Sequence, residues 1–266
     1  MGHAWEQHDE AVVAGTVEDV WAAIATGPGI DSWFMGRNQV EPGSDGWIAT
    51  DLGGSVRPAD QPDLLPDASV AADAGGFVMT SSVTAWDPPH RFGYRSQGPG
   101  EQFMAAEYLI EGRDQGGAVV RLVTSGFLPG DDWESEFEAM TAGGQMYFGT
   151  LTAYLDHFAG RFATPINFMG APVEDWPAAW TALRARLGLS ENPVVGDSVQ
   201  AAVPGLPALS GEVDFVNSQA LGVRTADGLY RFVQGFFGGF FVNHHIFADI
   251  DEKQTAEAWL AWAASL

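Results

Sequence analysis

Six histidines are the residues of this sequence most often used for metal binding or proton transfer, namely His3, His8, His90, His157, His244 and His245. Their spacing matches no metal-binding pattern, because His244 and His245 are adjacent and on a strand would point to opposite faces. His157 falls at a polar position of a predicted helix, which is typical of an exposed side chain. The sequence also lacks a phosphate-binding loop, a dinucleotide fingerprint and a nucleophile elbow. We therefore expect no metal and no cofactor.

A carboxyl group is the second candidate for chemistry, and it lies on a predicted strand. One face of the run 102–111 carries Phe103, Ala105, Glu107 and Leu109, and the other carries Met104, Ala106, Tyr108 and Ile110. If the first face points inward, Glu107 becomes a carboxyl group with a raised pKa in an apolar pocket, able to act as a general acid. If the second face points inward, Glu107 is solvated and Tyr108 lines the core, which is the interpretation we favour.

Two arginines on the neighbouring predicted strands extend this set. Arg95 and Arg121 could pair with Glu107 or anchor the carboxylate of a ligand. The alternative is that they form ordinary cross-strand pairs on the surface of the sheet.

A long amphipathic helix is predicted from Asp131 to Arg161. It must cover the residues that lie inside the fold. Its inward stripe alternates steps of four and three residues: Trp133, Phe137, Met140, Gly144, Tyr147, Leu151, Tyr154 and Phe158. Gly143 and Gly144 should each cost about 1 kcal/mol relative to alanine, so close packing, a kink or room for a ligand must compensate. Close packing is the interpretation we favour.

The segments before this helix predict the antiparallel sheet that it covers. They are a strand from Trp5 to Gly15, a helix capped by Thr16 and ending at Thr26, a turn from Pro28 to Phe34, a hairpin from Asn38 to Leu52, an exposed acidic loop from Arg57 to Asp73, and strands at Phe77 to Trp86, Arg91 to Ser96, Gln102 to Glu111 and Ala118 to Phe127.

A second unit is predicted after Arg161. Its first helix runs from Pro172 to Leu187, the segment from Pro193 to Pro207 reads as a loop, and three or four strands follow from Gly211 to Ile250. A last helix is capped by Asp251, with an apolar face formed by Trp259, Leu260 and Trp262. We expect two domains, residues 1–160 and 161–266, of which the first folds without the second. The second is either a shortened copy of the first, which we favour, or an appended α+β module.

The composition excludes several classes of partner. The 266 residues include 35 acidic and 12 basic side chains, for a formal charge of −23, which argues against binding nucleic acid or an anionic membrane. There is no cysteine, so disulfides and thiolate metal sites are excluded. No apolar signal region or membrane span is visible. We expect a soluble, cytoplasmic monomer or homodimer.

Several segments in the first 158 residues resemble a known family. The helix TVEDVWAAIAT followed by SWF, the segment VTAWDPPHRFGY, the strand end VTSGF and the final long helix are similar to the START-like helix-grip (SRPBCC) superfamily, in particular to homologues of the heat-shock-protein-90 ATPase activator. The resemblance implies an α+β fold in which an antiparallel sheet grips a long C-terminal helix. It also implies a cavity that in many relatives holds an apolar small molecule. Thr124 stands where the family often has a histidine, so no acid–base role is expected at that position.

The predicted function is therefore the binding of an apolar or aromatic small molecule in a helix-grip cavity. The residues expected to line the cavity, or a filled core in its place, are Trp21, Phe34, Phe77, Phe92, Tyr94, Tyr108, Phe127, Met140, Gly144, Tyr147 and Leu151. Two other functions stay open. One is a cyclase- or hydrolase-type enzyme that uses Glu107, Tyr94 or Arg121 as acid, base or anchor. The other is a protein-interaction module like the chaperone activators.

Overall fold

Two antiparallel sheets, one in each half of the chain, organise the fold. The computed structural model describes residues 3–52, 68–71, 76–98, 102–114, 116–128, 133–235 and 238–266. The chain divides into unit 1, Met1–Phe162, and unit 2, Ala163–Leu266. Each unit has its own sheet and its own helices, so the protein belongs to the α+β class.

Unit 1 combines eight strands and three helices among its described residues. They are β1 (His3–Val13), α1 (Val17–Ala25), α2 (Gly27–Ile30), β2 (Arg37–Glu41), β3 (Trp47–Asp51), β4 (Ala68–Ala71), β5 (Gly76–Asp87), β6 (Arg91–Gln97), β7 (Phe103–Gly112), β8 (Ala118–Leu128) and α3 (Trp133–His157). The strand order is β1-β8-β7-β6-β5-β3-β2, and β4 pairs with β5. The first strand therefore lies beside the last one.

The start of α1 is held by the cap that the sequence predicts. The Asp19 backbone N–H donates to the Thr16 hydroxyl at 3.1 Å, and the Thr16 backbone N–H donates to the Asp19 carboxylate at 2.9 Å. This reciprocal capping box satisfies two backbone donors, and a cap of this kind contributes about 1 kcal/mol.

The long helix α3 covers the sheet of unit 1. It packs against β1, β8 and α1, which is the helix-grip arrangement that the resemblance implies. Gly160 follows the helix with a φ of 79°, a left-handed conformation that suits glycine at a helix end. The predicted first residue, Asp131, lies outside the described residues.

One predicted loop of unit 1 contains a strand. The predicted acidic loop from Arg57 to Asp73 includes β4, and the rest of it lies outside the described residues. The prediction was wrong there because four residues are too few to show an alternating pattern, and the strand is defined by its pairing with β5.

Unit 2 has the same order of elements in a smaller form. It consists of β9 (Thr164–Pro172), α4 (Trp176–Arg186), β10 (Ser198–Ala201), β11 (Leu209–Val216), β12 (Ala220–Thr225), β13 (Gly228–Gln234), β14 (Gly239–Ile246) and α5 (Glu252–Ala263). The strand order is β10-β11-β12-β13-β14-β9, so the first strand again pairs with the last. The final helix α5 packs against β9, as α3 packs against β1.

Three details of unit 2 correct the sequence interpretation. Helix α4 begins at Trp176 rather than Pro172, because Asp175 is its N-cap and residues up to Pro172 form the strand β9. The sequence pattern did not predict the strand β9, because it contains Pro165 and Gly170, which are unusual inside strands. Both residues are tolerated here because β9 lies at the edge of the sheet. The predicted loop from Pro193 to Pro207 contains the short strand β10.

Aromatic side chains of α5 close the core of unit 2. Asp251 caps this helix as predicted, and Trp259 and Trp262 are buried, whereas Leu260 is 46% exposed and does not belong to the core. The ring of His244 lies 4.4 Å from that of Trp259. His244 is completely buried, and the Arg231 backbone N–H donates to its Nδ1 at 3.2 Å.

Burial of His244 makes the stability of the protein sensitive to acid. The pKa of His244 lies well below 6.5, chiefly because burial disfavours the charged ring, with smaller contributions from His245 and Arg231. As the pH falls below 6.5, the unfolded chain takes up a proton that the folded protein excludes. The free energy of unfolding should therefore fall by up to about 1.4 kcal/mol per pH unit.

We predict that His244→Asn loses less stability than the parent between about pH 7 and pH 5. Urea unfolding at several pH values gives the comparison, and His157→Asn, at an exposed position, is the control that should retain the parental pH dependence. An unchanged acid slope in His244→Asn would remove the buried histidine as its cause.

Candidate functional site

Two tyrosines stand on the inner face of the unit 1 sheet. Tyr108 is 2% exposed, and its hydroxyl is hydrogen-bonded to that of Tyr94 on the next strand. Burial raises the pKa of Tyr94 and raises that of Tyr108 well above 10. Both hydroxyls are therefore neutral hydrogen-bonding groups at physiological pH.

Glu107 lies on the outer face, as in the interpretation that we favoured. Its carboxylate accepts a hydrogen bond from Arg91 at 2.7 Å, and its side chain is 37% exposed. Arg121 is also outside, where it pairs with Glu10 and Glu111. Neither Glu107 nor Arg121 can act inside unit 1, which removes both from the enzymatic hypothesis.

Phe127 also lies on the outer face, which corrects its predicted place in the interior. It is paired across the strands with Phe103, over whose ring the Arg95 guanidinium lies at 3.8 Å from the centroid. Arg95 thus forms an outer-face cation–π contact. The Phe77 side chain lies outside the described residues.

A small cavity lies between the inner face of the sheet and helices α1 and α2. Its apolar lining comes from Ile24, Ile30, Trp33, Phe34, Ile48, Met79 and Met104, and its polar lining from Asn38, Thr50, Ser81, Tyr94, Ser96 and Tyr108. The volume is about 40 Å³, enough for one or two water molecules, whereas an engineered cavity that binds benzene measures about 150 Å³. The interior must therefore enlarge to admit an organic ligand.

The polar wall of the cavity is held by hydrogen bonds. The Ser81 and Ser96 hydroxyls are 2.6 Å apart. The Thr50 hydroxyl donates to Asn38 at 2.7 Å, and the Asn38 amide donates to Asp31 at 3.0 Å. Burial raises the pKa of Asp31, and the hydrogen bonds from Asn38 offset part of that rise.

A β-bulge places an aromatic cluster beside the cavity. The register of β5 against β6 shifts between Val83 and Ala85, which turns Trp86 to the inner face. Its ring contacts Phe92 at 5.6 Å and Trp21 at 5.0 Å. Trp21 and Phe92 therefore belong to this cluster and are not among the residues that line the cavity.

Helix α3 contributes packing on its inward stripe. The Tyr147 ring lies 4.7 Å from that of Phe34, so α3 reaches a residue of the cavity wall. Leu151 is fully buried, and Met140 is half-buried.

Gly144 makes room for a side chain of the sheet. A Cβ atom at this position would lie 3.4 Å from Oε1 of Gln7, whereas one at Gly143 would meet nothing within 4 Å. The Gln7 amide donates to the Asp9 carboxylate at 2.9 Å. The space beneath Gly144 is thus occupied by the Gln7 side chain, which agrees with close packing.

Asp9 is an interior carboxyl group that sequence reasoning missed. It shares the inner face of β1 with Trp5 and Val13, which are both buried. Burial raises the pKa of Asp9, and the hydrogen bond from Gln7 and the charge of His8 offset part of that rise. The alternating pattern of β1 could have predicted this position, because Asp9 lies an even number of residues from both Trp5 and Val13 and so points to the same face.

The other missed residues follow from the same parity rule. Once Tyr94 and Tyr108 face inward, Ser96 and Met104 must do so as well, because each lies an even number of residues away on its strand. Ser81 and Met79 precede the bulge on β5 and could not be placed without the register of that strand.

Two further properties limit what the described residues can do. No group of three or more His, Asp or Glu side chains in the described ranges is arranged to hold a metal ion. No helix in that same part of the chain combines the length and hydrophobicity needed to cross a bilayer.

Comparison with known proteins gives similarities in structure and none in sequence. No protein-family model matches the chain, and no curated protein matches it significantly. Among solved structures, protein MLL2253 from Mesorhizobium loti shares 18% identity at a TM-score of 0.43 over 58% of this chain and 98% of that one. Protein SA2116 from Staphylococcus aureus, of unknown function, shares 12% identity at a TM-score of 0.44 over 58% and 94%.

One similar structure spans both units. DynU16, a protein of the dynemicin biosynthetic locus, shares 17% identity at a TM-score of 0.42 over 98% of this chain and 96% of that one. At these identities and TM-scores, none of the similarities supports a conclusion about ligand or activity.

The two adjacent glycines of α3 provide a matched test of packing. Gly143→Ala and Gly144→Ala should each raise the free energy of unfolding by up to about 1 kcal/mol, because both positions accept a Cβ atom and alanine favours the helix. Gly144→Leu should instead lower it by about 1–3 kcal/mol, because the longer side chain must displace the Gln7 amide. Urea unfolding measures all three variants. A stabilised Gly144→Leu would show that space for a ligand, rather than Gln7, lies beneath the helix.

Proposed function

We propose that unit 1 binds a small molecule about the size of one aromatic ring, with an apolar body and at least one polar group. The observation that carries the proposal is the mixed lining of the internal cavity, where the hydroxyls of Tyr94, Ser81 and Ser96 lie beside the side chains of Met79 and Met104 on the same face of the sheet. Ligand sites combine apolar walls with a few convergent polar groups in this way. Burying hydroxyl groups costs free energy, and they add little to the packing of an apolar core.

Binding requires the interior to grow by about 100 Å³ to reach the size of a cavity that holds one ring. Met79 and Met104 are suited to this change because an unbranched thioether side chain adopts many conformations at low cost. The ring contact between Phe34 and Tyr147 limits the growth on the side of α3. These contacts favour a ligand of one ring over a larger one.

We also infer that both units derive from the START-like helix-grip architecture, with unit 2 as a shortened form. The support is the shared order of elements: a first strand, helical segments, an antiparallel meander and a final helix packed on the first strand. In both units that first strand pairs with the last strand of the meander. Binding of an apolar small molecule fits this architecture.

A bulky substitution inside the cavity tests the ligand site. We predict that the parent binds para-cresol or acetophenone in calorimetric titrations and that Met104→Trp abolishes this binding, because the indole fills the volume a ring would occupy. Leu109→Trp is the control, since Leu109 has the opposite parity on β7 and faces outward. Equal binding by the two variants, or none by the parent for either probe, would refute the site.

An enzyme is the second candidate, and one observation favours it. Asp9 lies in the same cross-strand row as Tyr108, with Leu122 of β8 between them. A carboxyl group with a raised pKa near a buried hydroxyl is suited to general acid–base chemistry of the hydrolase or cyclase type.

We predict that any hydrolysis of para-nitrophenyl acetate by the protein falls at least about 100-fold in kcat/KM in Asp9→Asn. Glu10→Gln changes the adjacent, outward-facing carboxylate and should leave the rate unchanged. A parent protein without turnover, or two variants with equal rates, would leave binding as the function of unit 1.

A further inference from the structure

A second cavity, larger than the first, lies in unit 2 between α4 and the hairpin of β11 and β12. Trp180 and Arg184 of α4 form one side, and Val216 and Leu221 of the hairpin form the other. The volume is about 180 Å³, slightly above that of an engineered cavity of about 150 Å³ that binds benzene. One aromatic ring or a short aliphatic chain therefore fits without rearrangement.

The only charged side chain among the described residues that line this cavity is the cation Arg184, although the chain as a whole is strongly acidic. None of the described residues that line it is acidic, although the sequence contains 35 acidic residues. Within the described ranges, no carboxylate forms an ion pair with Arg184, whose guanidinium makes only a long contact of 3.4 Å with the Thr181 hydroxyl. An unpaired guanidinium beside apolar walls favours an anionic ligand.

Two nitrogen donors in the same wall lack acceptors. The Trp180 Nε1 and the Arg184 Nε are shielded from solvent and have no hydrogen-bond partner in the described part of the chain. Buried donors are almost always satisfied in folded proteins, so each such exception needs an explanation. Oxygen atoms of a ligand bound beside Trp180 and Arg184 would provide the missing acceptors.

Both walls of the cavity are held in place by the fold of unit 2. Trp180 and Arg184 are four residues apart and share one side of α4, while Leu183 of the same helix is fully buried in the core. In the hairpin, the Asn217 backbone N–H donates to the Ala220 carbonyl at 3.0 Å, and the Gln219 backbone N–H donates to the Asn217 side chain at 2.9 Å. The site is therefore preformed.

Exposed apolar side chains continue from the cavity wall. Val216 is 37% exposed, and Pro193, another lining residue, is followed directly by Val194 and Val195, which are 59% and 64% exposed. Apolar groups beside an unpaired cation suit a ligand that is itself amphipathic.

We propose that this cavity is a binding site for a small organic carboxylate that carries an aromatic ring or a short apolar chain. The carboxylate pairs with Arg184 and accepts from Trp180, and the apolar part lies against Val216 and Leu221. The site is independent of the ligand cavity proposed for unit 1, because every residue that lines it belongs to unit 2.

Benzoate and its neutral analogue benzamide are the probes that test this site. In two-dimensional ¹⁵N–¹H spectra of the full chain, benzoate should shift the Trp180 indole signal saturably, and benzamide should bind at least about tenfold more weakly because it lacks the charge. The Trp180→Phe variant identifies the signal. We expect Arg184→Gln to weaken benzoate binding at least about tenfold.

Arg95→Gln is the matched control, because it removes an arginine of unit 1 that contacts Phe103; benzoate binding should stay within about twofold of the parent. Met104→Trp should also leave benzoate binding intact, which separates this test from that of unit 1. Thermal unfolding checks that Arg184→Gln is folded. If Arg184→Gln does not fold, Trp180→Phe replaces it as the test variant. Folded Trp180→Phe should then lose benzoate binding, which is followed through the signals of other residues. No shift of the Trp180 indole up to about 10 mM benzoate, or equal binding of benzamide, overturns the proposal.

Discussion

The pairing of the first strand with the last strand of the meander is the interaction on which unit 1 depends. β1 and β8 run antiparallel in unbroken register from His3 opposite Leu128 to Val13 opposite Ala118. Because β8 leads into α3, this pairing brings the start of the chain beneath the long helix. It sets Gln7 under Gly144 and turns Asp9 to the inner face. The interior polar groups of unit 1 are therefore a consequence of strand register.

The same constraint recurs in unit 2 with fewer strands and a different outcome. β9 pairs with β14, and α5 covers the face that carries Tyr230, Phe232 and His244. Here the inner face is filled by aromatic rings, including Trp259, and the helix α4 adds Leu183 to the same core. The open volume of unit 2 lies elsewhere, between Trp180 and Arg184 of α4 and the hairpin of β11 and β12.

The distribution of charge follows from the strong excess of acidic residues. On the outer face of the unit 1 sheet, Arg91 and Arg121 each lie within reach of a glutamate and are paired. Exposed pairs of this kind contribute about 0–1 kcal/mol, so they matter more for solubility than for stability. Arg184 has no such partner among the described residues, and its guanidinium beside apolar walls is suited to binding an anionic ligand.

The sequence by itself determined the local features that depend on nearest neighbours: the cap at Thr16, the presence of the long helix α3, the four strands that precede it, and the two faces of β7. The end of α3 was predicted at Arg161, whereas the helix ends at His157. The sequence could not choose between the two faces of β7, because alternation is symmetric and only the packed sheet shows that Tyr108 is inside and Glu107 outside. The bulge after Val83 and the edge strand β9 escaped detection for a related reason, since both are defined by their pairing partners. Tertiary structure alone decided the cavities, because the volume between two elements depends on side chains that are distant in the sequence and adjacent only in the fold.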